Sequence, residues 1–172
     1  MAKLQFPSGY RIEPLNGSHR RGSFLCGVEA LDVYLQRQMA QDRDRGTAAP
    51  FILTEDGVTI AGFYTLSALS ILSRELPDRL GKKLPSRNPI GVTLLGRMAV
   101  SEEHQGKRLG TLLLMHALDL SLENSQRIAS WGVVVDAKDG AGDFYRKYLF
   151  EDLPGQPGRM FLPMKTIEKM FE

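Results

Sequence analysis

Apolar residues recur along this chain in two alternating rhythms, a helical one and a strand one, and their order predicts the architecture. "YRIEPL" (10–15) has the look of a short edge strand, closed by the Gly- and Ser-punctuated turn "NGSHRRGSF". In "GVEALDVYLQRQMAQDRDRG" the apolar positions Leu31, Val33, Tyr34, Leu35 and Met39 fall near helical spacing, and Gly46 stands where a C-cap belongs. "APFILTEDG" and "VTIAGFYTLSALSIL" are β-rich runs joined through Glu55-Asp56-Gly57, so an antiparallel pair is expected there. "SRELPDRLGKKLPSRNPI", with three prolines and a glycine, reads as a loop. "GVTLLGRMAV" (91–100) is apolar almost throughout, as a strand buried on both faces would be, and Gly96 within it marks a bulge or a close backbone approach. A helix should run from near Leu109 to about Ser125, followed by the buried strand "IASWGVVVDA", the short helix "DGAGDFYRKYLF", and "GRMFLPMKTIEKMF" as a last strand with a helical tail. Strands separated by helices after an opening antiparallel ribbon make a mixed α/β sheet, and 172 residues without repeats suit one domain over residues 1–172.

Composition narrows the function classes only a little. Hydrophobic content of 42% with 24% charged residues of mixed sign is that of a folded globular protein, and a net charge of +2 is too mild to mark a nucleic-acid binder by itself. The lone Cys26 leaves no intrachain disulfide and no cysteine-rich zinc site, so no metal is expected. The N-terminal residues lack a signal peptide's apolar stretch, and no run approaches the roughly 20 residues of a membrane span, which points to a cytoplasmic protein away from membranes. What charge there is sits locally: Arg79, Lys82, Lys83, Arg87 and Arg97 follow one another with no acidic residue between them.

The stretch with most chemistry is "HQGKRLG" (104–110), immediately before the long helix. A helix N-terminus offers unpaired N–H groups and the positive end of the macrodipole, Gly106 and Gly110 let the main chain curl, and Lys107 and Arg108 add charge, so an anion such as a diphosphate fits. A glycine-capped turn with solvated basic residues is the alternative on these residues alone. No Gly-Lys-Ser/Thr follows at Walker spacing, and the three-glycine dinucleotide fingerprint is absent.

The order "LLGRMAV", "HQGKRLG", long helix, "GVVVDA" and "AGDFYRKYLF" resembles the GNAT superfamily of acyl-CoA-dependent N-acetyltransferases. Together with "FLCGVEALDVYL", "AQD", "FYTLSA" and "FLPM", it is similar to the acetyltransferase toxins of bacterial type II toxin–antitoxin modules, from about Phe24 to Met164. The resemblance implies a mostly antiparallel mixed sheet with central splayed parallel strands and flanking helices. It also implies acetyl-CoA as co-substrate, held by main chain of Met98, Ala99 and Val100 along the pantetheine arm and by Gln105, Gly106, Lys107, Arg108, Leu109, Gly110 and Thr111 around the diphosphate. In the family pattern Gln/Arg-x-x-Gly-x-Gly/Ala, Gln105 and Gly110 fit and Arg108 replaces the first glycine; Leu149 likewise stands where a glycine usually precedes the final Phe.

Acetyl transfer to an amine requires a neutral nucleophile, a stabilised oxyanion and a proton for the departing thiolate. The resemblance assigns the last to Tyr145, a phenol near ~10 facing a thiol near ~8.5; packing within the group Phe144, Tyr145, Tyr148 and Phe150 is its plain alternative. No general base is evident, since His104 lies in the turn, His116 on the helix behind it and His19 far upstream. A base-poor site favours an α-amine near ~8 over a lysine amine near ~10.4. The toxin resemblance implies aminoacyl-tRNA as acceptor, a cognate DNA-binding antitoxin as partner, and a homodimer; Arg79, Lys82, Lys83, Arg87 and Arg97, with Lys107 and Arg108 sharing the cofactor end, then read as a track for its phosphates or as an ordinary solvated loop. Arg20, Arg21, Arg43 and Arg45 extend such a track or are solvated helix charges; Trp131 lines the acceptor slot or sits in the core, and the core is the expectation. Two rivals stay open: the same fold acting on a small-molecule or protein amine, and a silent regulator that binds CoA or RNA.

Overall fold

A computed structural model describes residues 4–137 and 140–172. Seven strands form one sheet in the order β1-β2-β3-β4-β5-β7-β6. They are β1 (Arg11–Pro14), β2 (Ala49–Thr54), β3 (Gly62–Ile71), β4 (Ile90–Val100), β5 (Gly132–Asp136), β6 (Glu151–Asp152) and β7 (Arg159–Pro163). The pairings β1–β2, β2–β3, β5–β7 and β6–β7 are antiparallel and β4–β5 is parallel, giving the expected mixed α/β sheet. The described residues pack as two compact units, residues 4–67 with 96–117, and residues 68–95 with 118–137 and 140–172. Among the described residues no helix is long and apolar enough to cross a membrane.

In the first unit, Phe24, Tyr34, Leu35, Met39, Ile52, Ile60 and Phe63 make a core beneath β2 and β3. The predicted helix over 28–45 is present, but in three parts: α1 (Glu29–Val33), a π-helical turn Tyr34–Gln38, and α2 (Met39–Arg45), with Gly46 left-handed at the C-cap (φ +73°). The wide turn re-phases the side chains, so Tyr34, Leu35 and Met39 are all buried. The β2–β3 connection is longer than a tight hairpin. Its Asp56 carboxylate accepts the N–H groups of Val58 (2.8 Å) and Thr59 (2.7 Å) and the Thr59 hydroxyl (2.9 Å), which hold it below the usual carboxylate range. His19 is buried here as a packing residue: Nδ1 accepts the Asn16 N–H (3.0 Å), so Nε2 carries the hydrogen that meets Glu13 (2.7 Å).

In the second unit, Ile71, Leu76, Val92, Val134, Leu153 and Phe161 form the core, with Trp131 packed against it and 5.9 Å from the Phe161 ring, as expected. The stretch read as a loop contains a 3₁₀ turn, Ser73–Glu75, and a short helix, α3 (Asp78–Gly81). Gly81 permits that turn, since a Cβ there would lie 2.2 Å from the Ser73 carbonyl oxygen. Helix α4 runs Leu109–Ser125 as predicted, α5 covers Gly142–Arg146, and α6 (Met164–Met170) forms the helical tail after β7. The stretch read as a short helix from Asp139 begins outside the described residues at that position.

Candidate active site

Strand β4 changes character at Gly96. Its parallel ladder with β5 covers Thr93–Leu95 against Val133–Val135, whereas the strand itself continues to Val100. A Cβ at Gly96 would sit 3.0 Å from Thr65 Oγ1, and the Arg97 N–H donates to that same hydroxyl (3.2 Å). The glycine thus stands where the pairing with β5 has ended and the Thr65 side chain comes close. Met98, Ala99 and Val100 follow in this half of the strand, half-buried.

Beyond Val100 the Ser101 N–H reaches the Ala61 carbonyl (2.8 Å) and a 3₁₀ turn, Glu102–His104, leads into the loop. Gln105 pins this loop: its Nε2 donates to the carbonyls of Val100 (3.1 Å) and Cys26 (3.0 Å), so its side chain serves the loop's shape. Gly106 (φ +82°) and Arg108 (φ +59°) are both left-handed, and a Cβ at Gly106 would meet nothing within 4 Å. The N–H groups of Gly106, Lys107 and Arg108 find no acceptor among the described residues. Leu109 is buried and anchors α4, whose first turn, with Gly110 and Thr111, carries no acidic residue. Gly106, Lys107 and Arg108 are exposed. The result is a run of exposed amide donors, a helix N-terminus and two cations, an arrangement that suits an anion such as a diphosphate.

Of the other candidates in this unit, His104 Nδ1 is engaged with Ser101 Oγ (2.6 Å) and His116 Nδ1 with the Tyr64 hydroxyl (2.7 Å). Burial, then the Asp32 carboxylate, lifts the Cys26 thiol to about 11, so it is no nucleophile at neutral pH.

In the other unit, α5 holds Tyr145, 7% exposed, with Phe144 and Phe150 edge-on at 5.3 and 5.4 Å. Burial pushes its phenol up to about 12, above the ~10 expected from sequence. The helix ends where Leu149 turns left-handed (φ +72°): Phe150 N–H returns to the Tyr145 carbonyl (3.3 Å) and Leu149 N–H to that of Arg146 (3.1 Å). This is a Schellman arrangement with leucine in glycine's usual place. Leu149 is 59% exposed, so Leu149→Gly gives up little burial. Relief of about 1–2 kcal/mol of backbone strain, less about 0.4–1 kcal/mol of extra freedom in the unfolded chain, should raise the melting temperature by roughly 1–3 °C in calorimetry.

The basic track divides. Arg79 is ion-paired with Glu151, and Arg43 with Asp44, also donating to the Leu15 carbonyl; Lys82, Lys83 and Arg87 are exposed. Arg97 sits over the Tyr34 ring, its guanidinium carbon 3.9 Å from the centroid. Sequence reasoning had no role for Asp42 of "AQD"; in the structure its carboxylate accepts the Tyr34 hydroxyl (3.1 Å) and the Gln38 amide (3.0 Å). Nothing in the linear spacing signals that array, because it depends on the π turn.

Residues 19–149 match the model of the Acetyltransferase (GNAT) family. The chain belongs to that family. As a GNAT protein it is similar to a tRNA-acetylating toxin of Mycobacterium tuberculosis (strain ATCC 25618 / H37Rv), 33% identical over 144 residues that cover 83% of this chain and 85% of the relative. Among solved structures, AtaT complexed with acetyl-methionyl-tRNAfMet superimposes with a TM-score of 0.87 at 28% identity, covering 95% of this chain and 99% of the other. A mutant AtaT toxin bound to the C-terminus of the antitoxin AtaR and acetyl-CoA gives 0.83 at 25% identity, covering 95% and 99%. The seven-stranded sheet with one parallel pair is thus a GNAT sheet of the toxin type.

Proposed function

We propose that this protein transfers the acetyl group of acetyl-CoA to the α-amine of aminoacyl-tRNA, and that it does so as the toxin of a toxin–antitoxin module. The observation that carries the first half is the loop 105–110, whose free N–H groups and two cations fit the diphosphate of coenzyme A. In this reading the main chain of Met98, Ala99 and Val100, on the half of β4 beyond the β4–β5 ladder, receives the pantetheine arm. Gly106, Lys107, Arg108, Leu109, Gly110 and Thr111 surround the diphosphate, with Gln105 holding the loop in shape.

The chemistry then follows from what the chain supplies. The amine nitrogen attacks the thioester carbonyl, the C–N bond forms as the C–S bond breaks, and the nitrogen sheds a proton to solvent. The Tyr145 hydroxyl gives its proton to the departing thiolate and recovers one from water. A phenol at about 12 looks mismatched to a thiol near ~8.5, but the burial that lifts the phenol lifts any thiol beside it as well. His19 is buried with both ring nitrogens engaged and His104 and His116 each have Nδ1 tied to a hydroxyl, so no base is evident, in keeping with an acceptor that is already partly neutral at pH 7.

The acceptor is argued from the likeness to the tRNA-acetylating relative and to AtaT with its acetylated tRNA, and from the exposed cations Lys82, Lys83, Arg87 and Arg97. Acetylated aminoacyl-tRNA cannot present a free amine for peptide-bond formation, so translation stops. A DNA-binding antitoxin partner, a cytoplasmic setting and a homodimer belong to the same reading. The test is direct: purified protein, acetyl-CoA and a charged tRNA pool should yield N-acetylaminoacyl-tRNA, whereas the ε-amine of free lysine should remain unmodified. Absence of the acetylated product overturns the proposal.

A further inference from the structure

Arg97 is set apart from the chain's other arginines by how it is held. Arg11, Arg43, Arg79, Arg146 and Arg159 each lie against a carboxylate. Arg97 has no carboxylate within ion-pair distance among the described residues and instead stacks on Tyr34. That ring is itself fixed from two further sides. Its other aromatic neighbour, Phe63, is stacked at 6.3 Å and 24°, and its hydroxyl is tied to Asp42, which Gln38 also grips. Asp42 is anchored in turn by its own carbonyl, which accepts the Thr47 N–H (2.9 Å) and hydroxyl (3.1 Å). At the backbone, Arg97 is locked to Thr65 Oγ1, and Thr65 is 2% exposed.

A guanidinium held over a ring face is steadied there and, where its side chain is exposed as Arg97's is, still turns N–H donors to solvent, enough to meet a phosphate with charge-assisted hydrogen bonds. The phenol's donation to a carboxylate enriches the ring and strengthens its hold on the cation; burial and Asp42 together push Tyr34 up to about 12, so the phenol stays neutral and the donor stays in place. Arg97 immediately precedes Met98, at the half of β4 assigned above to the pantetheine arm, so a phosphate on its edge belongs to a molecule brought up to the thioester.

We infer that Arg97 is the residue that grips a backbone phosphate at the 3′ end of the charged tRNA, next to the esterified amino acid, and that Tyr34 and Asp42 are positioning residues acting through it. The inference rests on aminoacyl-tRNA being the acceptor. It separates Arg97 from Lys82, Lys83 and Arg87, whose exposed side chains supply affinity along the RNA without fixing the amine.

The experiment compares acetyl transfer to a charged tRNA pool with transfer to the matching mixture of amino-acid ethyl esters, which carry the same α-amine and no phosphate. Arg97→Lys keeps the charge and loses the plane; its kcat/KM on charged tRNA should fall about tenfold further than on the esters. Tyr34→Phe keeps the ring and loses the tie to Asp42, and should show the same selective fall at about threefold. The double variant should be no worse than Arg97→Lys alone, because Tyr34 acts only through Arg97. Equal losses on both acceptors, additive losses in the double variant, or a matching fall in acetyl-CoA affinity measured by titration calorimetry each overturn the inference and return Arg97 to packing or to the CoA phosphates. A wild-type protein that acetylates esters but no charged tRNA removes the acceptor itself, and this inference with it.

Discussion

Tyr145→Phe should lower kcat for acetyl transfer by about 10²–10⁴-fold, the usual contribution of a positioned general acid, with KM for acetyl-CoA changed little. The substitution removes one oxygen from a ring whose packing against Phe144 and Phe150 needs none, so the melting temperature should hold. The pH dependence supplies an independent check. Burial raises the folded-state phenol to about 12, and a raised acid keeps its proton at every pH below that value. The wild-type kcat/KM should therefore climb as the acceptor amine deprotonates, then stay level to at least pH 10. A falling limb near 10 would show a phenol at its ordinary value and hence a solvated one. Wild-type turnover from Tyr145→Phe would leave the tyrosine as packing and pass the proton's source to water.

How far the sequence carried can be judged from where these groups sit. Helix α4 was legible to the residue because Leu109 to Ser125 is uninterrupted by proline or by a left-handed position. Strand β4 was legible because an almost unbroken apolar run admits few other readings, and its Gly96 did mark a close approach, that of the Thr65 hydroxyl. The illegible parts have separate causes. A π turn adds a residue to a helical circuit without altering composition, so the pattern over 28–45 looked uniform while Tyr34 was being turned beneath Arg97. Helix α3 is one turn long and lies among prolines, where propensity argues for a loop and the Gly81–Ser73 contact decides otherwise. The two-residue β6 is too short to show any period, and the Arg79–Glu151 pair joins positions 72 residues apart. The roles of Asp42 and of Gln105's side chain exist only in the folded contacts.

The two glycines missing from the family pattern are the sharpest case. Arg108 and Leu149 are the chain's two non-glycine residues with positive φ among those described, so each carries the left-handed turn that glycine would make without strain. The pattern recorded a chemical departure at two positions whose backbone is left-handed. The two nevertheless differ in what the side chain can return. Leu149 is an exposed apolar group at a helix end, whereas Arg108 projects a cation at a loop with free amide donors. Strain kept at a site of that kind points to use by a ligand.

Arg108→Gly should accordingly move stability and binding in opposite directions. Relief of the left-handed strain, about 1–2 kcal/mol less the entropy that glycine returns to the unfolded chain, gives a melting temperature about 1–3 °C higher in calorimetry. Loss of a charge-assisted contact worth about 1.5–3 kcal/mol weakens acetyl-CoA binding by roughly 10- to 100-fold in titration calorimetry. Because the free amides of Gly106 and Lys107 remain, binding should be reduced and not abolished. Leu149→Gly is the matched control, expected to stabilise by a similar amount with acetyl-CoA affinity unaltered. If Arg108→Gly stabilises the protein and binds acetyl-CoA as well as before, the main chain alone holds the diphosphate and the guanidinium is idle. If it binds more tightly, the arginine obstructs the loop, and the fit argued for residues 105–110 is wrong at its centre.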